Sequence, residues 1–158
     1  MGPAMHVITK AKDVELIRKR LCCLALSTAA ALSAIPAQAD VVVVVSAKSS
    51  QANLKADQVA DIFLGKRSAY PDGADAVPID QPESSTSREA FYTALTGKTP
   101  ALLKAYWSRL LFTGQGQPPR ELPNADAVKK LIASNSRFIG YMDKEALDDN
   151  VKVVYVPK

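Results

Sequence analysis

Five consecutive valines, Val41 to Val45, constrain the fold of this chain more than any other stretch. A β-branched side chain loses χ1 freedom in a helix and packs well on a pleated surface. Strand side chains alternate between the two faces of a sheet, so a run with no polar member has to be covered on both. The run predicts an interior strand with helices on either side of it, and hence an α/β sheet.

The segments that follow supply those helices. Val59, Ile62 and Phe63 recur at the spacing of one helical face and predict a helix from about Ala56 to Leu64, with Gly65 as its stop and Lys55 as a weak entry. After a turn-rich excursion containing P-D-G, residues 76–79 read as a short strand that delivers Asp80. Asp72 and Asp75 in that excursion read as turn residues rather than calcium ligands, because no ligand series accompanies them. A helix from Thr86 to about Thr96 is expected to bury Phe91, Ala94 and Leu95. Thr99 and Pro100 read as the cap and first residue of the next helix, whose stripe Leu103, Tyr106, Trp107, Leu110 and Leu111 is expected to pack against the sheet. Residues 113–123, rich in glycine and proline, predict a surface loop without regular structure. Asn124 then caps a helix with Val128, Leu131 and Ile132 inward. Phe138 to Met142 and Val151 to Val156 read as strands, the second with alternating apolar residues.

The chain's start has a different character. Arg18, Lys19 and Arg20 precede a mostly apolar run from Leu21 to Ile35, and Ala37-Gln38-Ala39 has the A-x-A form of a processing site. Residues 1–39 are therefore expected to be a cleaved signal peptide, with Met5 an alternative start. The apolar run falls short of the ~20 residues needed to span a bilayer. Residues 40–158 are expected to form one periplasmic or secreted domain with no membrane anchor.

Removal of that leader restricts the chemistry. Cys22, Cys23 and His6 all lie within it, so residues 40–158 contain neither thiol nor imidazole. Cys–His nucleophile pairs and the usual zinc ligands are thereby excluded, and no cofactor is implied. Of the 20 Lys and Arg and 16 Asp and Glu, five and two belong to the leader, which leaves 15 and 14. So nearly balanced a charge implies no nucleic-acid partner. Serine nucleophiles would lack a base, and an enzyme is not expected.

One stretch carries a candidate site. From Asp80 the sequence reads D-Q-P-E-S-S-T-S-R-E-A-F, in which Ser84, Ser85, Thr86 and Ser87 precede Arg88 at a predicted helix start. The first amides of a helix are unpaired and carry partial positive charge, so hydroxyls and a guanidinium placed there complete a site for an oxyanion. The same residues also suit a plain capped helix with a solvated Arg88, and both readings stand at this point. Gly97-Lys98-Thr99 is not a phosphate loop, since the spacing and the preceding strand are wrong.

Taken in order, I-F-L-G-K (Ile62 to Lys66), D-Q-x-x-S-S-T-S-R-x-x-F (Asp80 to Phe91) and A-V-K-K-L-I-A-S-N-S-R-F-I-G-Y (Ala127 to Tyr141) resemble the phosphate-binding proteins of periplasmic ABC transporters, and in particular short single-domain members. The resemblance implies one periplasmic-binding-protein-like lobe with a small, mainly parallel or mixed sheet flanked by helices. It places Ser85, Ser87 and Arg88 on the family's oxyanion-binding helix start, with Thr86 where the family has glycine. It implies phosphate or a similar tetrahedral oxyanion as ligand, Asp80 as acceptor of the proton of hydrogen phosphate where it is not simply a turn or cap residue, and a membrane permease or sensor as partner; a side chain at a helix start such as Arg88 is expected to be exposed. A ligand-free interaction or sensing module on the same fold is the alternative.

Overall fold

All five valines of the run are buried in the computed structural model, which describes residues 40–158. The predicted signal peptide, with Cys22, Cys23 and His6, lies outside the described residues. In chain order the elements are β1 (Val41–Ser46), α1 (Ala56–Phe63), β2 (Val77–Asp80), α2 (Thr86–Thr96), α3 (Pro100–Phe112), β3 (Arg120–Glu121), α4 (Ala125–Ser134), β4 (Phe138–Asp143), a 3-10 turn (Lys144–Ala146) and β5 (Val151–Tyr155). The strands form one sheet in the order β3-β2-β4-β1-β5. β2 runs parallel to β3 and β4, while β1 is antiparallel to β4 and β5, so the sheet is mixed.

The valines divide by parity. Val41, Val43 and Val45 face a core built from α1, α2 and α3, with Phe63, Phe91, Leu103 and Trp107. Val42 and Val44 face a second, smaller core under α4, with Val128 and Ile132. Uniform apolarity thus comes from helices on both faces, although both neighbours of β1 are antiparallel. β4 obeys the same alternation: Ile139 and Tyr141 join the larger core and Met142 the smaller. Gly140 faces α4, where an added Cβ would lie 2.5 Å from Ile132 Cδ1 and 3.0 Å from Val128 Cγ1. The glycine lets α4 settle onto the sheet.

Helix ends follow the expected chemistry. α1 closes in a Schellman turn, with Lys66 N–H donating to Asp61 O at 2.8 Å and Gly65 N–H to Ile62 O at 3.2 Å, and Gly65 at φ +70°. Its weak entry is helped by Gln58, whose Oε1 accepts from the Lys55 amide at 2.9 Å. Thr99 and Asn124 cap α3 and α4 through the amides of Leu102 and Ala127. Asp72 clasps its turn by accepting from Ala74 N–H at 3.0 Å, Ser50 Oγ at 3.1 Å and Gln51 Nε2.

Four expectations need correction. Arg120–Glu121 pairs with β2 as a short parallel strand, so residues 113–123 are not wholly irregular. On α3, Leu103 and Trp107 are buried and Tyr106 and Leu110 partly so, but Leu111 is 55% exposed. Leu111 lies at the margin of the stripe, one residue before the exposed end of the helix. On α2, Ala94 is exposed and Tyr92 takes the inward place. In β5 the alternation breaks where Val43 pairs Tyr155 but Val44 pairs Val153. This bulge turns Val154 and Tyr155 to the same core.

Candidate functional site

β2 ends at Asp80 and α2 begins six residues later, so the chain turns sharply at one end of the sheet. The turn is built by its own side chains. Ser85 caps α2, accepting from Arg88 N–H at 3.3 Å, and donates its hydroxyl proton to Gln81 Oε1 at 2.8 Å. Gln81 in turn donates from Nε2 to the Tyr141 carbonyl on β4 at 2.9 Å. β2, α2 and β4 are thus fastened together at this point.

Asp80 is the centre of the network and is only 2% exposed. Its Oδ2 accepts from Arg88 Nε at 3.2 Å and from the Tyr92 hydroxyl at 3.0 Å. Its Oδ1 accepts from Gln81 N–H at 2.9 Å and from the Tyr141 hydroxyl. An ionised carboxylate has about four acceptor positions, and the chain itself fills them. That leaves Asp80 no free position for a ligand's proton, unlike the role the resemblance implied.

Arg88 is 8% exposed, so the expectation of an exposed side chain is wrong. Its position four residues before Tyr92 puts both on one helix face, and the guanidinium carbon lies 5.3 Å from the Tyr92 ring centroid. Burial pulls the Arg88 pKa down, and the charge of Asp80, followed by Tyr92, more than offsets this and leaves it above its ordinary value. Nε is paired with Asp80. Among the described residues the terminal nitrogens make no hydrogen bond, and neither is shut off from solvent.

The remaining predicted residues differ in place. Ser84 and Thr86 are exposed, whereas Ser87 is buried and donates to Asp143 Oδ1 at 2.8 Å. Both hydroxyls assigned to ligand by the resemblance therefore already have acceptors within the chain. The amides of Thr86 and Ser87, in the first turn of α2, have no backbone partner among the described residues.

Sequence reasoning missed Gln81, Tyr92, Tyr141 and Asp143. Tyr92 was signalled by its spacing from Arg88. Tyr141 and Asp143 lie 61 and 56 residues from their partners Asp80 and Ser87 and have no local signal. Burial raises the hydroxyl pKa of both tyrosines above the ordinary range, and the charge of Asp80 adds to the effect. They stay protonated donors to the carboxylate.

No profile of a known protein family matches the chain, and no curated protein is significantly similar to it in sequence. Solved structures are similar in fold. A Vibrio cholerae ABC-type phosphate transport receptor superposes with a TM-score of 0.58 at 16% identity, over 73% of this chain and 45% of its own. A Clostridium perfringens protein crystallised with bound phosphate, and described as a phosphate ABC transporter substrate-binding protein, gives 0.57 at 22% identity over 73% and 44%. PstS from Borrelia burgdorferi gives 0.50 at 14% identity over 73% and 46%. The fold is that of a single periplasmic-binding-protein-like lobe. The chain spans less than half the length of each of these proteins.

Proposed function

We propose that residues 40–158 form an extracytoplasmic module that binds phosphate or a similar tetrahedral oxyanion at the start of α2. The observation that carries this reading is Arg88. Its Nε is locked by buried Asp80, its terminal nitrogens make no hydrogen bond among the described residues, and the first-turn amides of Thr86 and Ser87 on the same helix have no backbone partner there. Such an array offers donors and positive potential at one place. Asp80 positions the guanidinium, and Ser84 and Thr86 supply the exposed hydroxyls. The fold agrees with this, since the similar structures are described as phosphate receptors and binding proteins, one with phosphate bound.

The start of α2 is open, with Ser84 and Thr86 exposed, and charge-assisted hydrogen bonds contribute less in water than in a closed site, so the affinity of residues 40–158 is expected to be modest. The partner class is a membrane permease or sensor, reached outside the cytoplasm after removal of residues 1–39. No helix among the described residues is long and apolar enough to cross a membrane.

The test is a phosphate titration followed by amide NMR, with sulfate and chloride as comparators. Phosphate is expected to shift the Ser84 to Arg88 amides, and Arg88→Lys, which keeps the charge but loses the planar fork, to weaken binding about tenfold. No shift at millimolar phosphate would leave the interaction module as the better reading. One feature favours that second reading: Phe112 is 94% exposed, next to Leu111 at 55%, at the end of α3.

A further inference from the structure

At the opposite end of β2 from Asp80, a cavity of about 340 Å³ lies between the residues following α1, the beginning of β2, Trp107 of α3 and the Pro118–Pro119 segment. It is within the range of small-molecule sites. We propose that this cavity binds a small apolar organic acid: a carboxylate carried on an aromatic or branched aliphatic body.

Two observations converge on that chemistry. The first is charge. Arg67 and Arg120 both line the cavity, neither has an ion-pair partner among the described residues, and no Asp or Glu is in the lining. The second is the wall. Ile62, Val77, Trp107 and Pro118 give it an apolar surface, which suits a hydrocarbon body and opposes the desolvation of a bare inorganic anion. Cations and no acid in one apolar pocket call for a ligand that brings negative charge on a hydrocarbon body. A planar carboxylate is matched by the guanidinium fork.

Trp107 is the only tryptophan in the chain, so its fluorescence and its indole N–H resonance report on this cavity alone. Phenylacetate is the probe, and uncharged phenylacetamide of the same shape is the comparator. Phenylacetate is expected to shift the Trp107 resonance saturably at millimolar concentration, with phenylacetamide at least about tenfold weaker. Arg67→Ala/Arg120→Ala is expected to weaken phenylacetate about tenfold or more with an unchanged melting temperature, because both side chains are exposed. The amides of Ser84 to Arg88 are expected not to move, which separates this site from the anion site at α2. The proposal is overturned by no saturable response, by equal responses to the two probes, or by an equal response to inorganic phosphate. Undiminished binding by the double variant would overturn it as well.

Discussion

Asp80 and Arg88 form the one buried ion pair among the described residues, and its worth depends on completeness. Two charges taken out of water gain little as a pair, but removing one partner strands the other. Arg88→Ala is therefore expected to lower stability by about 3–5 kcal/mol, read from the urea denaturation midpoint, because buried Asp80 is left with no cation beside it. An unchanged midpoint would mean that the pair is solvated. The tyrosines around Asp80 give a pH dependence with a definite sign. In the folded chain Tyr92 and Tyr141 have pKa values raised above 10, as does Tyr70, mainly through burial. Between the unfolded and folded values the native state holds more protons, so stability falls as pH rises. The contribution is fully present below about pH 10 and is lost above it, at about 1.4 kcal/mol per pH unit for each tyrosine. Denaturation midpoints measured between pH 8 and 11 should be flat and then decline, and a flat profile to pH 11 would contradict the buried hydroxyls.

At the level of elements, the contact between β4 and α4 depends on Gly140. A methyl group there would meet Ile132 and Val128 inside van der Waals distance, so Gly140→Ala is expected to cost about 1–3 kcal/mol. The check is thermal unfolding of the variant beside Gly116→Ala, where the nearest atom is 3.8 Å away and no clash arises. A Gly140→Ala protein as stable as the parent would show that α4 stands off the sheet. α3 offers a second contrast. Trp107→Ala should lose about 3–5 kcal/mol, whereas Leu111→Ala should stay within about 0.5 kcal/mol. Similar losses at both positions would mean that the whole stripe is buried.

For the molecule as a whole, export and anion binding are the properties to measure. Mass spectrometry of the exported protein is expected to find Asp40 at its start, and an intact residue 1–39 segment would refute processing there. Phosphate should raise the melting temperature, since a ligand that binds only the folded state stabilises it by mass action. Sulfate and phosphate with equal effect would show that the site reads charge and geometry without regard to the phosphate proton. This fits Asp80, whose acceptor positions are filled from within the chain.

Much of this organisation is local and was legible in the residues alone. The valine run required cover on two faces, and β1 is buried on both. Gly65, Thr99–Pro100 and Asn124 marked helix ends, because caps and glycine turns are decided by a few adjacent backbone groups. A capped helix start within Ser84 to Ser87 could be read in the same way, although that Ser85 is the cap and that Arg88 pairs with Asp80 came only from the structure. What the sequence left open depends on partners far apart in the chain. The antiparallel pairing of β1, the bulge that turns both Val154 and Tyr155 inward and the reach of Tyr141 to Asp80 follow from register, and register is set by the whole sheet. Burial of Arg88 was missed for the same reason. A guanidinium at a helix start reads as solvated until the fold brings a buried carboxylate and two tyrosines against it, and only that packing makes its burial affordable.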